Sequence, residues 1–340
     1  MKAAVKPRIE LENRTKLETV IPLATPFTLF IDPSDVCNFQ CQFCPSGNKK
    51  LLKEVRRTPK IMDFDLYKKI IDDICAFDEP LKVLRLYKDG EPLLNPRFTE
   101  MIAYAKRRGC AKSIDTTTNG SLLNPDFNQR LIDAGIDRIN ISVEGVTAEH
   151  YRTFSRYSLD FDSFVANIRD LYEHRGDCVI CVKICGDTLT EDEKAAFYRI
   201  FGDISDRIFI EHVAPCWPEY DMQGITVNSC VGIYGQPIKE VSVCPYLFYS
   251  LSINSDGKAS LCFLDWARKL IVGDANVESI KEIWNGNRLY EYRKMHLEMR
   301  RKQHPVCGSC GQLTHCLPDD IDAYAGALLE RIETADAVAP

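Results

Sequence analysis

The chain has 340 residues and a mass of 38.7 kDa, enough for two modest domains, or one large domain with an elaborated C-terminus, around a sizeable core. Its 43 Lys and Arg against 49 Asp and Glu give a net charge of −6, and no basic run exceeds Lys106-Arg107-Arg108; Arg300-Arg301-Lys302 falls at a predicted helix end, where cations complement the dipole, so no nucleic-acid or membrane partner is expected. The N-terminus lacks an apolar export segment, no stretch reaches the roughly 20 apolar residues that span a bilayer, and the 15 cysteines gather in C-x-x-C-type groups, which points to metal–sulfur ligation in a reducing, cytoplasmic setting.

Residues 1–26 are polar with scattered Leu and Pro and are expected to form an arm or short strand with no function of its own. The apolar run Phe27-Thr28-Leu29-Phe30-Ile31 reads as a strand, and after it come Cys37, Cys41 and Cys44 in a C-x3-C-x2-C spacing. A four-iron cubane takes four ligands, so three close thiols leave one iron open. The alternative is a zinc knuckle or incidental buried thiols, although zinc sites complete sets of four ligands. Residues 47–60 are polar and aperiodic and read as a surface loop beside this site. Helices then alternate with strands: helices near 63–77, 97–108, 125–134, 149–154, 161–174 and 191–201, and strands at 83–87, 113–118, 138–143, 178–185 and 207–213. Repeated right-handed βα units form a parallel sheet, and six of them curl into a partial (β/α)6 barrel, an α/β fold whose functional groups collect at the C-terminal strand ends.

Three strand ends carry polar clusters: Lys88-Asp89-Gly90-Glu91-Pro92, Thr116-Thr117-Thr118-Asn119-Gly120, and Asn140-Ile141-Ser142-Val143-Glu144-Gly145. Strand period places Asn140, Ser142 and Glu144 on one face and Ile139, Ile141 and Val143 on the other. By the same parity Ile180, Val182 and Ile184 face the outer helices while Cys181, Lys183 and Cys185 point into the barrel. A lysine in the lumen calls for an anion, such as a ligand carboxylate; otherwise it snorkels past a sheet edge.

From about residue 214 the rhythm changes. Cys216, in Ala214-Pro215-Cys216-Trp217-Pro218, and Cys230 lie in a segment that must cross the open end of the barrel. Either thiol could reach a substrate, or both are small buried hydrophobes. Cys244 precedes a hairpin of residues 248–253 and 258–263 joined by Asn254-Ser255-Asp256-Gly257, then helices near 277–285 and 287–302, then Cys307, Cys310 and Cys316. The spacing is C-x12-G-x4-C followed by C-x2-C-x5-C.

The first cysteine loop, with Phe43 before its third cysteine, resembles that of the radical S-adenosylmethionine (radical SAM) superfamily. The resemblance implies that Cys37, Cys41 and Cys44 ligate a [4Fe–4S] cluster whose open iron is chelated by SAM. Gly90, Glu91 and Pro92 then match the GGEP motif that holds the SAM ammonium, with Asp89 in place of its first glycine; Thr118 and Asn119 match the TNG turn beside the ribose and methionine. Ser142 and Glu144 match the IS-x-(D/E)-G phrase and should face SAM, and Arg156 or Arg152 occupies a region where the family often places an arginine near it. The C-terminal spacing, with the phrase at 279–285, resembles the SPASM/Twitch extension, but Leu317 and Asp320 stand where that pattern continues with further cysteines. One auxiliary [4Fe–4S] cluster on Cys244, Cys262, Cys307 and Cys310 is therefore expected, with Cys316 spare or an alternative ligand; a zinc ribbon on the same four is the other reading.

The implied units are an arm (1–26), a radical SAM partial barrel (27–213), a bridge (214–243), an auxiliary cluster domain (244–320) and a C-terminal helix or tail (321–340). The implied activity is reductive cleavage of SAM to a 5′-deoxyadenosyl radical that abstracts hydrogen, with electrons from a flavodoxin- or ferredoxin-type reductant. Such enzymes dehydrogenate or epimerise aminoglycoside-type sugars, or mature ribosomal peptides. The 36 residues before Cys37 are too few for a fused peptide-recognition domain, so a small, polyhydroxylated, carbohydrate-like substrate is expected. Peptide maturation is the alternative, and a non-enzymatic metal-binding protein a distant one. Oxidation would require a base and an electron acceptor; epimerisation, a hydrogen donor such as Cys216 or Cys230.

Overall fold

The computed structural model describes residues 1–338 apart from 11, 218, 219, 221, 223, 224, 226–229, 317 and 318. The arm supplies β1 (Ala4–Val5), and the expected core strands follow as β2 (Thr28–Ile31), β3 (Val83–Leu86), β4 (Ile114–Thr118), β5 (Arg138–Val143), β6 (Val179–Cys185) and β7 (Arg207–Glu211). β2 to β7 pair in parallel in sequence order. The four residues of β2 are all buried, as a parallel strand covered on both faces requires. The helices read from periodicity are present: Phe64–Ile74 buries Tyr67, Ile70, Ile71 and Ile74 and is capped by Asp63, Phe98–Arg108 ends at Gly109 with φ 64°, and Glu191–Phe201 opens on a Thr190/Glu193 capping box.

The arm does form the expected short strand: β1 pairs in parallel with β7, Ala4 opposite Arg207, and extends that edge. Several other expectations are corrected. Residues 47–60 are not a plain surface loop; they contain the helix Lys49–Glu54, capped by Asn48, and then bury Arg57. The segment near 149–154 is one short turn, Ala148–His150, followed by a π turn, Tyr151–Ser155, that ends on Arg156 at φ 51°. The hairpin strands are shorter than expected, because Tyr246–Tyr249 forms a helical turn before β8 (Ser250–Ile253), which turns through Gly257 into β9 (Lys258–Ser260); β10 (Ile271–Asp274) follows. β8 pairs in parallel with β2 along its whole length, Thr28 opposite Ser250 through Ile31 opposite Ile253. Among the described residues, barrel and hairpin thus form one ten-stranded sheet in the order β1-β7-β6-β5-β4-β3-β2-β8-β9-β10. The helix expected to run to 302 stops at Leu297, and Arg301, expected as a solvated complement to its dipole, is buried, donating to the carbonyls of Ser242, Cys307 and Val241 at 2.9, 2.6 and 3.3 Å.

Buried charges join the C-terminal part to the barrel. Asp89 meets Lys88 at 2.8 Å, Arg57 at 3.1 Å and Arg268 at 3.2 Å; Asp35 meets Arg57 and Arg268, both at 3.1 Å; Asp32 lies 3.9 Å from Arg268. Arg57 also donates to the Trp266 carbonyl at 2.7 Å and lies over its ring, and Trp266 Nε1 donates to Ser46 Oγ, which donates to the Asp89 carbonyl at 2.6 Å. Replacing Arg268 by Met leaves three buried carboxylates with two cations, an expected loss of about 3–5 kcal/mol. Denaturant titration checks this: the midpoint should fall at constant slope, and a loss under about 1 kcal/mol would mean that the network behaves as a solvated surface cluster.

Candidate functional site

The Cys37–Cys44 loop leaves the C-terminal end of β2 and is clamped by the strand-end motifs. A Cβ at Gly90 would fall 2.3 Å from the Ser34 carbonyl and 2.5 Å from that of Val36, so only glycine permits this approach, and Glu91 N donates to the Val36 carbonyl at 2.9 Å. The Glu91 carboxylate accepts from Thr118 Oγ1 at 2.6 Å, Asn119 N at 2.7 Å and Leu93 N at 3.0 Å, while Pro92 opens the turn Pro92–Leu94. Asn119 Nδ2 donates in turn to Asn38 Oδ1 at 2.8 Å, inside the cysteine loop. Residues 90–92, 118–119 and 37–44, distant in sequence, are one interlocked unit. Burial pushes the Cys37 thiol up to about 12 and raises Cys41 and Cys44 as well, with Glu144 adding to all three. Three desolvated thiols beside carboxylates hold no charge on their own and suit a group that brings positive charge with it, as iron does.

A cavity of about 660 Å³ is lined by Ser142, Glu144, Lys183 and Cys185, as parity places them, but also by Val143 and Ile184, which parity turns outward, and not by Asn140 or Cys181; Cys216 and Cys316 line it as well. Lys183 neither snorkels past an edge nor waits for a ligand anion: its Nζ meets Glu211 Oε2 of β7 at 2.7 Å. Burial pushes Glu144 up to about 7, with Lys183 pulling the other way. The arm, expected to carry no function, contributes Arg8 to the wall, its Nη1 donating to the Tyr87 hydroxyl at 2.9 Å. Sequence reasoning also missed an Asp–His pair, although both residues follow strand ends: His212 Nδ1 lies 2.7 Å from Asp187 Oδ1, whose other oxygen accepts the Val213 N–H, and the His212 ring lines the cavity.

A second cavity is lined by Cys244, Cys262, Cys307 and Cys310 together with His296 and Arg301, and Cys216 borders both cavities. Burial pushes Cys307 up to about 12 and raises Cys244 and Cys262; it also pushes His296 down to about 3, so that ring is neutral. Four thiols around one space fit the donor chemistry of an iron–sulfur cluster. Cys316 does not line this space; its Sγ donates to Gln312 Oε1 at 3.0 Å and lies 3.9 Å from Cys216 Sγ. Cys230 is exposed and lines neither cavity, and Pro218 lies outside the described residues. Arg156 is exposed and Arg152 pairs with Glu149, and neither lines the large cavity.

Family comparison agrees with this geometry. The Radical SAM superfamily model matches residues 31–198, and an iron–sulfur cluster-binding domain, SPASM, matches residues 244–311. The chain is a radical SAM protein with a C-terminal SPASM domain. An AdoMet-dependent heme synthase of Methanosarcina barkeri is 23% identical over 85% of this chain and 89% of its own length. The tungsten-containing aldehyde ferredoxin oxidoreductase cofactor-modifying protein of Pyrococcus furiosus is 30% identical, but the match spans only 38% of each chain. Among solved structures, BtrN with AdoMet and 2-DOIA superposes with TM-score 0.54 at 17% identity over 84% of this chain and 92% of BtrN; Streptococcus suis SuiB bound to precursor peptide SuiA gives 0.61 at 14% over 88% and 73%. These two likenesses show the fold. A SAM-binding [4Fe–4S] cluster, an auxiliary iron–sulfur cluster and SAM are the cofactors of this radical SAM enzyme.

Replacing Cys37, Cys41 and Cys44 together by Ala is expected to abolish 5′-deoxyadenosine formation while the remaining site keeps a [4Fe–4S] spectrum; continued SAM cleavage would refute the trio as ligands. Glu144 supplies a pH signature. Its carboxyl titrates near 4.5 unfolded and about 7 folded, so the fold holds the extra proton between those values and stability falls as pH rises through that window, by up to about 3 kcal/mol. Thermal unfolding of the SAM-free protein from pH 4.5 to 8 should therefore slope downward, and the Glu144→Gln variant should reduce that slope by the Glu144 share, leaving the part due to Glu91 and Asp32, which burial also pushes up to about 7.

Proposed function

We propose that the enzyme oxidises a carbinol carbon of a small, polyhydroxylated, carbohydrate-like molecule held in the 660 Å³ cavity. The observation that carries this reading is His212, a residue of the cavity lining whose Nδ1 lies 2.7 Å from Asp187 behind it. SAM, held at the Cys37/Cys41/Cys44 site, and the auxiliary cluster, held by Cys244, Cys262, Cys307 and Cys310, supply when bound a 5′-deoxyadenosyl radical that takes one hydrogen atom and an acceptor for one electron. What remains is a hydroxyl proton, and His212 is placed to receive it. Asp187 accepts a hydrogen bond from Nδ1–H, which leaves Nε2 as the basic nitrogen and fixes the ring. Hydrogen atom, proton and electron together convert the alcohol to a carbonyl.

The cavity size falls within the roughly 300–1,000 Å³ typical of small-molecule sites, and its polar wall offers donors and acceptors to hydroxyls: Arg8, Tyr87, Ser142, Lys183 and Glu211. BtrN, a similar fold, is known in complex with 2-DOIA, which favours the same class. A flavodoxin- or ferredoxin-type reductant in the cytoplasm completes the reading; among the described residues no helix is long and apolar enough to cross a membrane.

Cys216 favours a second reading, because it borders both cavities and could return a hydrogen atom to the substrate, giving epimerisation. Peptide maturation is the further alternative, since the similar fold of SuiB binds a precursor peptide. The test is anaerobic turnover, with SAM and a chemical reductant, of a panel of aminocyclitols, hexoses and nucleotide sugars in D2O. Oxidation gives a product lacking two hydrogens, and His212→Gln should lower that product by about 10²–10⁴-fold while 5′-deoxyadenosine still forms. Deuterium entering an inverted product, and lost in Cys216→Ala, would instead identify an epimerase.

A further inference from the structure

His296 lies in the last turn of the helix Asn287–Leu297 and is 1% exposed. Its Nδ1 accepts the backbone N–H of Cys244 at 3.2 Å. A neutral imidazole whose δ nitrogen is an acceptor carries its proton on Nε2. That Nε2 is buried and has no hydrogen-bond partner among the described residues, while the ring lines the same cavity as Cys244, Cys262, Cys307 and Cys310. A buried N–H without an acceptor is rare and needs an explanation. The polar neighbours along that wall are already committed. Arg301 has only donors and spends them on three backbone carbonyls. Asp265 accepts from Ser260, Lys269 N and Leu270 N, and Gln312 pairs with Tyr246 and Cys316. Among the described residues, the sulfurs of the four cysteines line the same cavity and can accept this proton.

We propose that His296 Nε2–H donates a hydrogen bond to a sulfur of the auxiliary cluster and so raises its reduction potential. The inference rests on reading the four cysteines as that cluster's ligands and goes beyond it by naming the residue that tunes the site. The direction follows from charge: reduction adds an electron to a cluster already anionic through its thiolates, and an N–H dipole aimed at sulfur stabilises the reduced form more than the oxidised one. Cys244 then has two tasks, since its side chain holds iron while its own N–H sets the tautomer and orientation of the ring that tunes that iron. A ligating role for His296 is the competing possibility, and it conflicts with the geometry: Nε2 would have to lose its proton, which would put the proton on Nδ1, against the Cys244 N–H.

The test uses the full-length Cys37→Ala/Cys41→Ala/Cys44→Ala protein, in which the auxiliary cluster is alone. Pulsed EPR of its reduced state, with 15N-histidine labelling and after exchange into D2O, should show one weakly coupled histidine nitrogen and one exchangeable deuteron. Potentiometric titration of His296→Leu should lower the midpoint, on the order of tenfold in the reduction equilibrium, which is 59 mV for one electron; His296→Gln, which restores an N–H donor, should recover part of the shift. A strong 15N coupling typical of direct ligation, or no histidine coupling at all, would overturn the inference with the ligand assignment intact. Absence of an iron–sulfur signal from this variant would overturn the ligand assignment as well. The labelled histidine is read in the protein with native His296, so the result stands even where His296→Leu fails to fold.

Discussion

Asp89 sits where the radical SAM pattern has a glycine, and the structure gives that departure a physical reason. Its carboxylate is the meeting point of Lys88, Arg57 and Arg268, one from the SAM turn itself, one from the segment after the cysteine loop, and one from the SPASM domain. Burial and the neighbouring Asp89 push Asp32 up to about 7, so Asp35 and Asp89 are the anions that Lys88, Arg57 and Arg268 chiefly hold, and removing one member leaves its partners buried with less compensation. The Asp89 carbonyl is held as well, through Ser46 and Trp266. Turn, cluster loop and C-terminal domain are therefore set against one another by charges that cannot be removed singly. The orientation of the turn at residues 88–92 thus depends on segments distant in sequence, and a glycine at 89 would leave Arg268 without one of its anchors.

Local pattern carried the barrel. Alternation along residues 138–143 and 179–185 assigned the inward faces because a half-turn per residue leaves no other choice once the outer face is apolar, and the cavity is lined by Ser142, Glu144 and Lys183 accordingly. The cysteine loops were legible because thiol spacing is written directly in the sequence. What was not legible arises from pairings across long separations. Nothing near Lys183 announces Glu211, nothing in the arm announces that Arg8 reaches Tyr87, and nothing in residues 248–253 announces a parallel partner in β2. Arg301 read as a surface cation because its burial depends on carbonyls of residues 241, 242 and 307. Asp187 and His212 were within reach of the strand-end rule, yet neither belongs to a spaced motif and each gains meaning only from the other.

The two cavities are separated by little more than the Cys216 wall, and their chemistries differ accordingly. One is large and mixed, with acids, cations and an imidazole among its aromatic lining; the other is small and lined by cysteines, leucines and a neutral histidine, with Asp265, Arg301 and Gln312 engaged in hydrogen bonds. Low polarity around a cluster and hydrogen bonds to its sulfurs are the levers a protein has over potential, whereas the larger chamber fixes what enters and how it is turned. Cys216, Tyr246, Leu264 and Gln312 are common to both.

The pairing of β2 with β8 has a consequence for how the molecule is made. Residues 28–31 are synthesised early, and β3 can take one of their edges soon afterwards, but the other edge waits for residues 250–253. An uncovered parallel edge beside a loop of three thiols is a template for pairing with other chains. Such a late, non-local closure is slow to form. Truncation ahead of β8 would therefore not yield a working barrel lacking an accessory; it would leave the founding strand of the barrel permanently half-paired, and aggregation during synthesis would be the first symptom.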